Sequence, residues 1–226
     1  GLVNVPLAGR MSESALAERV ANSTRHNIAL SIAGATELAH FARRSYRGQT
    51  NIAYPFWELP TFPQAWRRCF EGFDAYWAPT TFVRDMLVAY QDKPVHLIPQ
   101  PVLVPDEPPP PQVLSGPLKF FTFFDFDSFI ARKNPMGAIH AFRAAFPAGT
   151  EDVRLVIKAR GTPSDPMRQE LHRLAETDHR IAIKEGLLSR AEMTALMQET
   201  NVFLSLHRSE GFGLGCAEAL AQGKIV

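Results

Sequence analysis

Residues 202–226 read VFLSLHRSEGFGLGCAEALAQGKIV, and the order of patterns in this stretch decides the fold. Val202 to Leu206 is an apolar run of strand length, whereas His207 to Gly213 is polar and glycine-bearing, as a loop is. Leu214 to Gln222 follows as a helix closed by Gly223, and Lys224 to Val226 opens a further strand.

The same beat extends backwards. Lys119 to Phe124 reads as a buried strand, and Pro135 to Phe146 carries Met136, Ile139, His140 and Phe142 at helical spacing. Val153 to Lys158 and Ile181 to Ile183 are strand-like, and Met167 to Ala175 is helical. Arg190 to Glu199 is a helix started by the capping box of Ser189 and Glu192. Strand and helix alternating this strictly predict a parallel, doubly wound sheet.

Prolines set a boundary before this half. Pro99, Pro101, Pro105, Pro108 to Pro111 and Pro117 exclude helix and central strand from residues 99–117. That stretch is expected to be a stiff interdomain linker, with an ordinary surface loop as the alternative. Residues 1–98 then form an N-terminal α/β domain and residues 118–226 a C-terminal one. In the N-terminal half, Glu13 to Val20 and Glu37 to Arg44 read as helices, and Ile28 to Ile32, Ala75 to Ala78 and Val95 to Ile98 as strands.

Composition narrows the function. The 226 residues are 46% hydrophobic and 21% charged, with a formal net charge of +1, so no global field recruits nucleic acid. Cys69 and Cys216 show no metal-ligand spacing and read as small buried residues in a reducing compartment. No apolar run reaches membrane-spanning length and residues 1–20 lack a signal-peptide layout, so a cytoplasmic location, or one at the inner face of a membrane as a peripheral protein, is expected. The sequence opens on Gly1 rather than methionine, which points to a fragment.

In open parallel sheets, ligands bind beyond the carboxyl ends of the strands, so the loops after Phe124, Lys158, Ile183 and Leu206 are where chemistry is expected. In the last of these, Gly211 and Gly213 flank Phe212, which allows close backbone approach, and the start of the helix at Leu214 suits a phosphate or a sugar hydroxyl. Ser209 and His207 line the same loop, with a structural role as the alternative for His207 as for His26, His40 and His140. Glu210 and Glu218 stand with seven residues between them; dipole complementarity at a helix start is the plainer account of that pair.

Together, Glu210, the GFG turn, Glu218 and the AEALAQGK run resemble the acidic EX7E motif of the family-four retaining glycosyltransferases. The resemblance implies a GT-B type α/β fold: two Rossmann-like domains facing across a cleft, here both incomplete at the chain ends. It implies that Glu210 lies against the donor sugar and Glu218 binds the ribose hydroxyls, while Gly211, Phe212, Gly213, Leu214, Ser209 and His207 border the donor. It places the diphosphate-binding lysine on Lys133. Many members carry a partner arginine earlier, where this chain has Asp125 and Asp127, and Arg132 is the candidate to replace it. Two solvated basic residues in the first turn of a helix are the alternative for Arg132 and Lys133, although that end of a helix disfavours cations.

Residues 51–63, NIAYPFWELPTFP, and 74–83, DAYWAPTTFV, resemble acceptor-domain segments of bacterial members that build surface polysaccharides, which makes Trp57 and Glu58 acceptor-side candidates. Packing is the alternative for Trp57 and the expectation for Trp66 and Trp77. Lys158 is a secondary cleft candidate, with a surface ion pair as its alternative. The implied partners are a UDP- or GDP-sugar donor, as substrate, and a glycan or lipid-linked acceptor. No metal or other cofactor is expected. The competing readings are a non-catalytic nucleotide-sugar-binding domain, or an epimerase or phosphorylase on the same fold.

Overall fold

A computed structural model describes residues 27–39, 50–102, 104, 109, 116–161 and 166–226. The chain divides into two compact units, residues 1–100 and 101–226. The expected helix at 13–20, most of the one at 37–44, His26, His40 and much of the proline-rich stretch lie outside the described residues.

Among its described residues the N-terminal unit holds four parallel strands in the order β1 (Ile28–Gly34), β2 (Thr50–Phe56), β3 (Ala75–Ala78) and β4 (Val95–Leu97). A 3-10 helix, Gln64–Phe70, and helix α1, Thr81–Tyr90, connect them. The core of this unit gathers Ala53, Phe62, Phe70 and Tyr76 with Val83, Met86 and Leu87 of α1. Both β2 and α1 go beyond the elements expected from sequence. Pro55 argues against a strand with neighbours on both sides, yet the ladder from β2 to β3 ends at Ala53, so at Pro55 only β1 is paired, through Ala33. Helix α1 opens on Thr80, whose hydroxyl accepts from Val83 N. Its first residues, Thr81, Phe82 and Val83, have weak helix propensity, and burial of Val83, Met86 and Leu87 overrides it.

The C-terminal unit has strands β5 (Leu118–Asp125), β6 (Val153–Arg160), β7 (Ile181–Glu185) and β8 (Val202–Phe203), all parallel, in the spatial order β7-β6-β5-β8. Its helices are α2 (Ile130–Lys133), α3 (Pro135–Ala145), α4 (Pro166–Glu176), α5 (Arg190–Gln198) and α6 (Leu214–Ala221). Side chains of β5 alternate between two cores, which is why its sequence is apolar almost without interruption. Phe124 joins Ile139, Phe142 and Leu171 of α3 and α4 on one face, and Phe121 joins Leu196, Met197 and Ala219 of α5 and α6 on the other. The expected capping box of α5 is formed in both directions between Ser189 and Glu192.

Strand β8 stops at Phe203 rather than reaching Leu206. Beyond it the Leu206 carbonyl accepts from the Asn134 side chain at 3.0 Å instead of a neighbouring strand. The strand expected at 224–226 reduces to a single bridge between Val202 and Ile225.

The order β7-β6-β5-β8 fixes where a ligand fits. Successive strands β5, β6 and β7 proceed one way, while β8 lies on the other side of β5. Connections leaving β5 and β8 therefore diverge, and the crevice at their carboxyl ends is the topological switch point of the sheet.

Candidate active site

The chain leaving β5 makes the one-turn helix α2 and then α3. Asn134 joins them in the left-handed region, at φ 50° and ψ 46°, with Pro135 at the first position of α3. This junction places Arg132 and Lys133 in the last turn of α2, not the first turn of the following helix as their sequence position suggests. A helix of one turn has little dipole of its own, and the compensation for both cations comes from the chain leaving β8.

The chain leaving β8 supplies the partner. Glu210 Oε1 lies 2.5 Å from Lys133 Nζ, 3.0 Å from Arg132 Nη1 and 2.7 Å from His207 Nδ1. Arg132 is fixed further by donating to the Ser209 carbonyl and to Ser128 Oγ, each at 3.0 Å. The two connections are also bonded through their backbones, with Arg208 N donating to Arg132 O at 2.8 Å. Burial pushes the Glu210 carboxyl up, but the hydrogen bonds from His207 and Lys133 and the charges of Lys133 and Arg132 outweigh it and hold its pKa at about 2.

This cluster forms one wall of a cavity of about 610 Å³. Lys133, His207, Glu210, Gly213, Leu214 and Glu218 all line it, so six of the ten donor-side residues singled out from sequence converge. Phe123, Met193 and Met197 supply an apolar wall. Arg132, Ser209, Gly211 and Phe212 do not line it; Ser209 acts through its carbonyl on Arg132, and Gly211 is buried.

The amino end of helix α6 borders this cavity through Gly213 and Leu214, and Gly213, at φ 77°, precedes the helix in the left-handed conformation that glycine adopts without strain. Gly215 lets the helix lie close to β5: a Cβ there would meet Phe123 Cζ at 2.8 Å. Glu218 faces the cavity one turn further, with Arg190 Nη2 at 3.6 Å from its Oε1.

Arg190 is a lining residue that the sequence reading did not single out. Its one signal is a cation at the first position of a helix, the end where the macrodipole disfavours it. Asn134 was passed over as well, and its left-handed backbone is visible only in three dimensions.

Lys158 is not a cavity group. Its side chain is buried, its pKa is lowered by that burial and by Arg160 beside it, and its ammonium donates to the carbonyls of Ala159 and Gly186. Asp125 pairs with Arg160 at 2.5 Å and accepts from Asp127 N, so it organises the turn after β5. Cys69 and Cys216 are half-buried rather than buried, and Cys216 lines the cavity. Among the described residues no cluster of three His, Cys, Asp or Glu could hold a metal ion, and no helix is long and apolar enough to cross a membrane. In the N-terminal unit, Trp57 packs edge-on against Phe62 and Trp66 and donates its Nε1–H to Thr61 O at 3.0 Å.

Comparison with solved structures gives the same fold. Staphylococcus aureus TarM, solved with Fondaparinux, alpha-GlcNAc-glycerol and UDP, superposes with a TM-score of 0.67 at 10% identity, over 86% of this chain and 40% of TarM. The lipopolysaccharide outer core galactosyltransferase WaaB gives 0.61 at 16% identity, over 89% of this chain and 56% of WaaB. A trehalose-6-phosphate synthase studied for glycosyl transfer with retention gives 0.62 at 14%, over 86% of this chain and 56% of the synthase. The chain thus spans about half the length of the solved proteins it resembles. Among curated proteins none matches the sequence. The profile described as "Family 4 Glycosyltransferase in conflict systems" matches residues 80–224, more than half of the chain and every residue that lines the cavity. This chain belongs to that family of glycosyltransferases.

Proposed function

We propose that the chain carries the donor half of a retaining glycosyltransferase, which moves a hexose from a UDP- or GDP-sugar to a glycan or lipid-linked acceptor. The observation that carries this reading is the convergence of Lys133, Arg132 and His207 on Glu210 at the wall of a cavity at the sheet's switch point.

Each group has a role consistent with its surroundings. In transfer, the bond between the anomeric carbon and the diphosphate oxygen breaks and negative charge grows on the diphosphate. Lys133 and Arg132 oppose that charge, and the amino end of α6 adds its amides and dipole. Glu218, one helical turn along, accepts hydrogen bonds from the ribose hydroxyls. The acceptor hydroxyl attacks from the side the diphosphate leaves, forming the new glycosidic bond as its proton passes to the departing oxygen. Glu210 positions the sugar. Same-side attack needs no covalent nucleophile from the protein, and retention is the outcome named for the trehalose-6-phosphate synthase of the same fold.

The acceptor class rests on residues 51–63 and on the similarity to WaaB, named a lipopolysaccharide outer core galactosyltransferase; Trp57 and Glu58 remain the acceptor-side candidates. A peripheral position at the inner face of a membrane follows from a lipid-linked acceptor. The test is proton NMR of UDP- and GDP-hexoses incubated with the protein and candidate acceptors. The reading expects consumption of one α-linked donor with an α-linked product. A β-linked product, or no consumption of any donor, contradicts it.

A further inference from the structure

Three donors meet on a single oxygen, Oε1 of Glu210, and two of them are the cations assigned to the diphosphate. A carboxylate has two oxygens and about four lone-pair sites, so crowding onto one oxygen is not required by its own hydrogen-bonding capacity. The arrangement is the one a phosphate oxygen would occupy: anionic, between an ammonium and a guanidinium, at the cavity wall. Arg132 is held by Ser209 and Ser128 as well as by Glu210, so its guanidinium has anchors that do not depend on this carboxylate.

We propose that Glu210 competes with the donor's diphosphate for Lys133 and Arg132, so that donor binding displaces Oε1 and releases the carboxylate towards the sugar. The proposal rests on the nucleotide-sugar reading above and adds a device to it. The cations are kept in place by an internal anion, and the same anion is freed at the moment a sugar arrives beside it. The exchange makes and breaks no covalent bond. The diphosphate, with more than one negative charge, outcompetes a single carboxylate that is partly buried but not sealed, its side chain 27% exposed.

The consequence is the reverse of what a simple contact would give. Removing the Glu210 charge should tighten binding of a sugar-free nucleotide, because the cations then have no competitor. We expect UDP or GDP, whichever the wild type prefers, to bind Glu210→Gln roughly tenfold more tightly by calorimetry, in line with the coupling of close charge pairs. Glu210→Asp keeps the charge on a shorter arm and should fall between the two. In a Lys133→Ala background the gain from Glu210→Gln should shrink severalfold. Thermal melts verify that each variant is folded. Unchanged or weaker nucleotide binding by both folded Glu210 variants overturns the competition while leaving the donor site standing. Failure of the wild type to bind any nucleotide overturns the donor-site reading itself, and the competition with it.

Discussion

Lys133 Nζ and Glu210 Oε1 are 2.5 Å apart although 77 residues separate them in the chain. Lys133 ends the one-turn helix after β5, and Glu210 lies in the loop after β8, the neighbouring strand. Two consecutive decisions of the fold produce the pair: β8 returns to the open side of β5, and Asn134 turns the chain sharply after Lys133.

That ion pair gives a pH dependence whose sign is fixed. The Glu210 carboxyl is held at about 2 against an ordinary 4.5, so its stabilisation is present above about pH 4.5 and lost as pH falls towards 2. Its share is up to about 3 kcal/mol. Asp178, held at about 2 chiefly by Arg180, and Glu185, held at about 2 chiefly by Arg168, lose stabilisation over the same range. Thermal melts between pH 5 and 2.5 should fall steeply for the wild type and less steeply for Glu210→Gln. Parallel curves would remove Glu210 from the acid transition.

Asn134 connects backbone conformation to the site. It adopts φ 50°, and its side-chain amide donates to Leu206 O at 3.0 Å, tying the exit of β5 to that of β8. Asn134→Ala loses the hydrogen bond and leaves alanine in a strained region, at a cost of about 2 kcal/mol. Asn134→Gly loses the hydrogen bond alone. Urea unfolding should rank the wild type above glycine and glycine above alanine; alanine ranking above glycine would contradict the role given to the left-handed backbone.

Gly215 tests the seat of α6. A methyl group there meets Phe123 Cζ at 2.8 Å and Phe203 Cζ at 3.1 Å, so in Gly215→Ala either these packed rings or the helix must shift. Overpacking of this kind costs about 1–3 kcal/mol. Because α6 carries Glu218 and its amino end faces the cavity, nucleotide affinity should fall together with stability. A variant as stable as the wild type would show that the helix has room to spare.

Arg180 separates structure from site. Only 3% exposed, it pairs with Asp178 at 2.8 Å and Glu151 at 2.6 Å, and its guanidinium lies over the Phe142 ring. Arg180→Ala leaves Asp178 with only the longer 3.7 Å pair to Arg143 and should cost up to roughly 3 kcal/mol in chemical denaturation. None of these groups lines the cavity, so the folded variant should bind nucleotide as the wild type does. A loss of affinity in the folded variant would contradict that separation.

What the sequence made legible follows from where burial is strongest. Strands β5 and β6 are covered on both faces over most of their length, so VRLVIKAR and KFFTFF carry their signal locally. Pro55 hid β2 because only the register of its neighbours shows where a missing N–H is harmless, and α1 was hidden by weak propensity overridden by packing. Residue types at the site, Glu210, Lys133, Glu218 and the GFG turn, were legible as a pattern. The convergence of Arg132, Lys133 and His207 on one oxygen was not, because it depends on two separate connections being fixed by Asn134 and by Arg208 N on Arg132 O. Lys158, aligned with the site by its strand position, turned inward to backbone carbonyls instead.

The most direct measurement of the central claim is calorimetric titration of UDP, GDP and ADP, alone and as sugar conjugates, into the wild type, Lys133→Ala and Glu218→Ala. Binding of one nucleotide, weakened by roughly tenfold or more in both variants, is the predicted result. If the folded chain binds no nucleotide, or if the two variants bind as the wild type does, the cavity between α5, α6 and the loop after β8 is not a donor site.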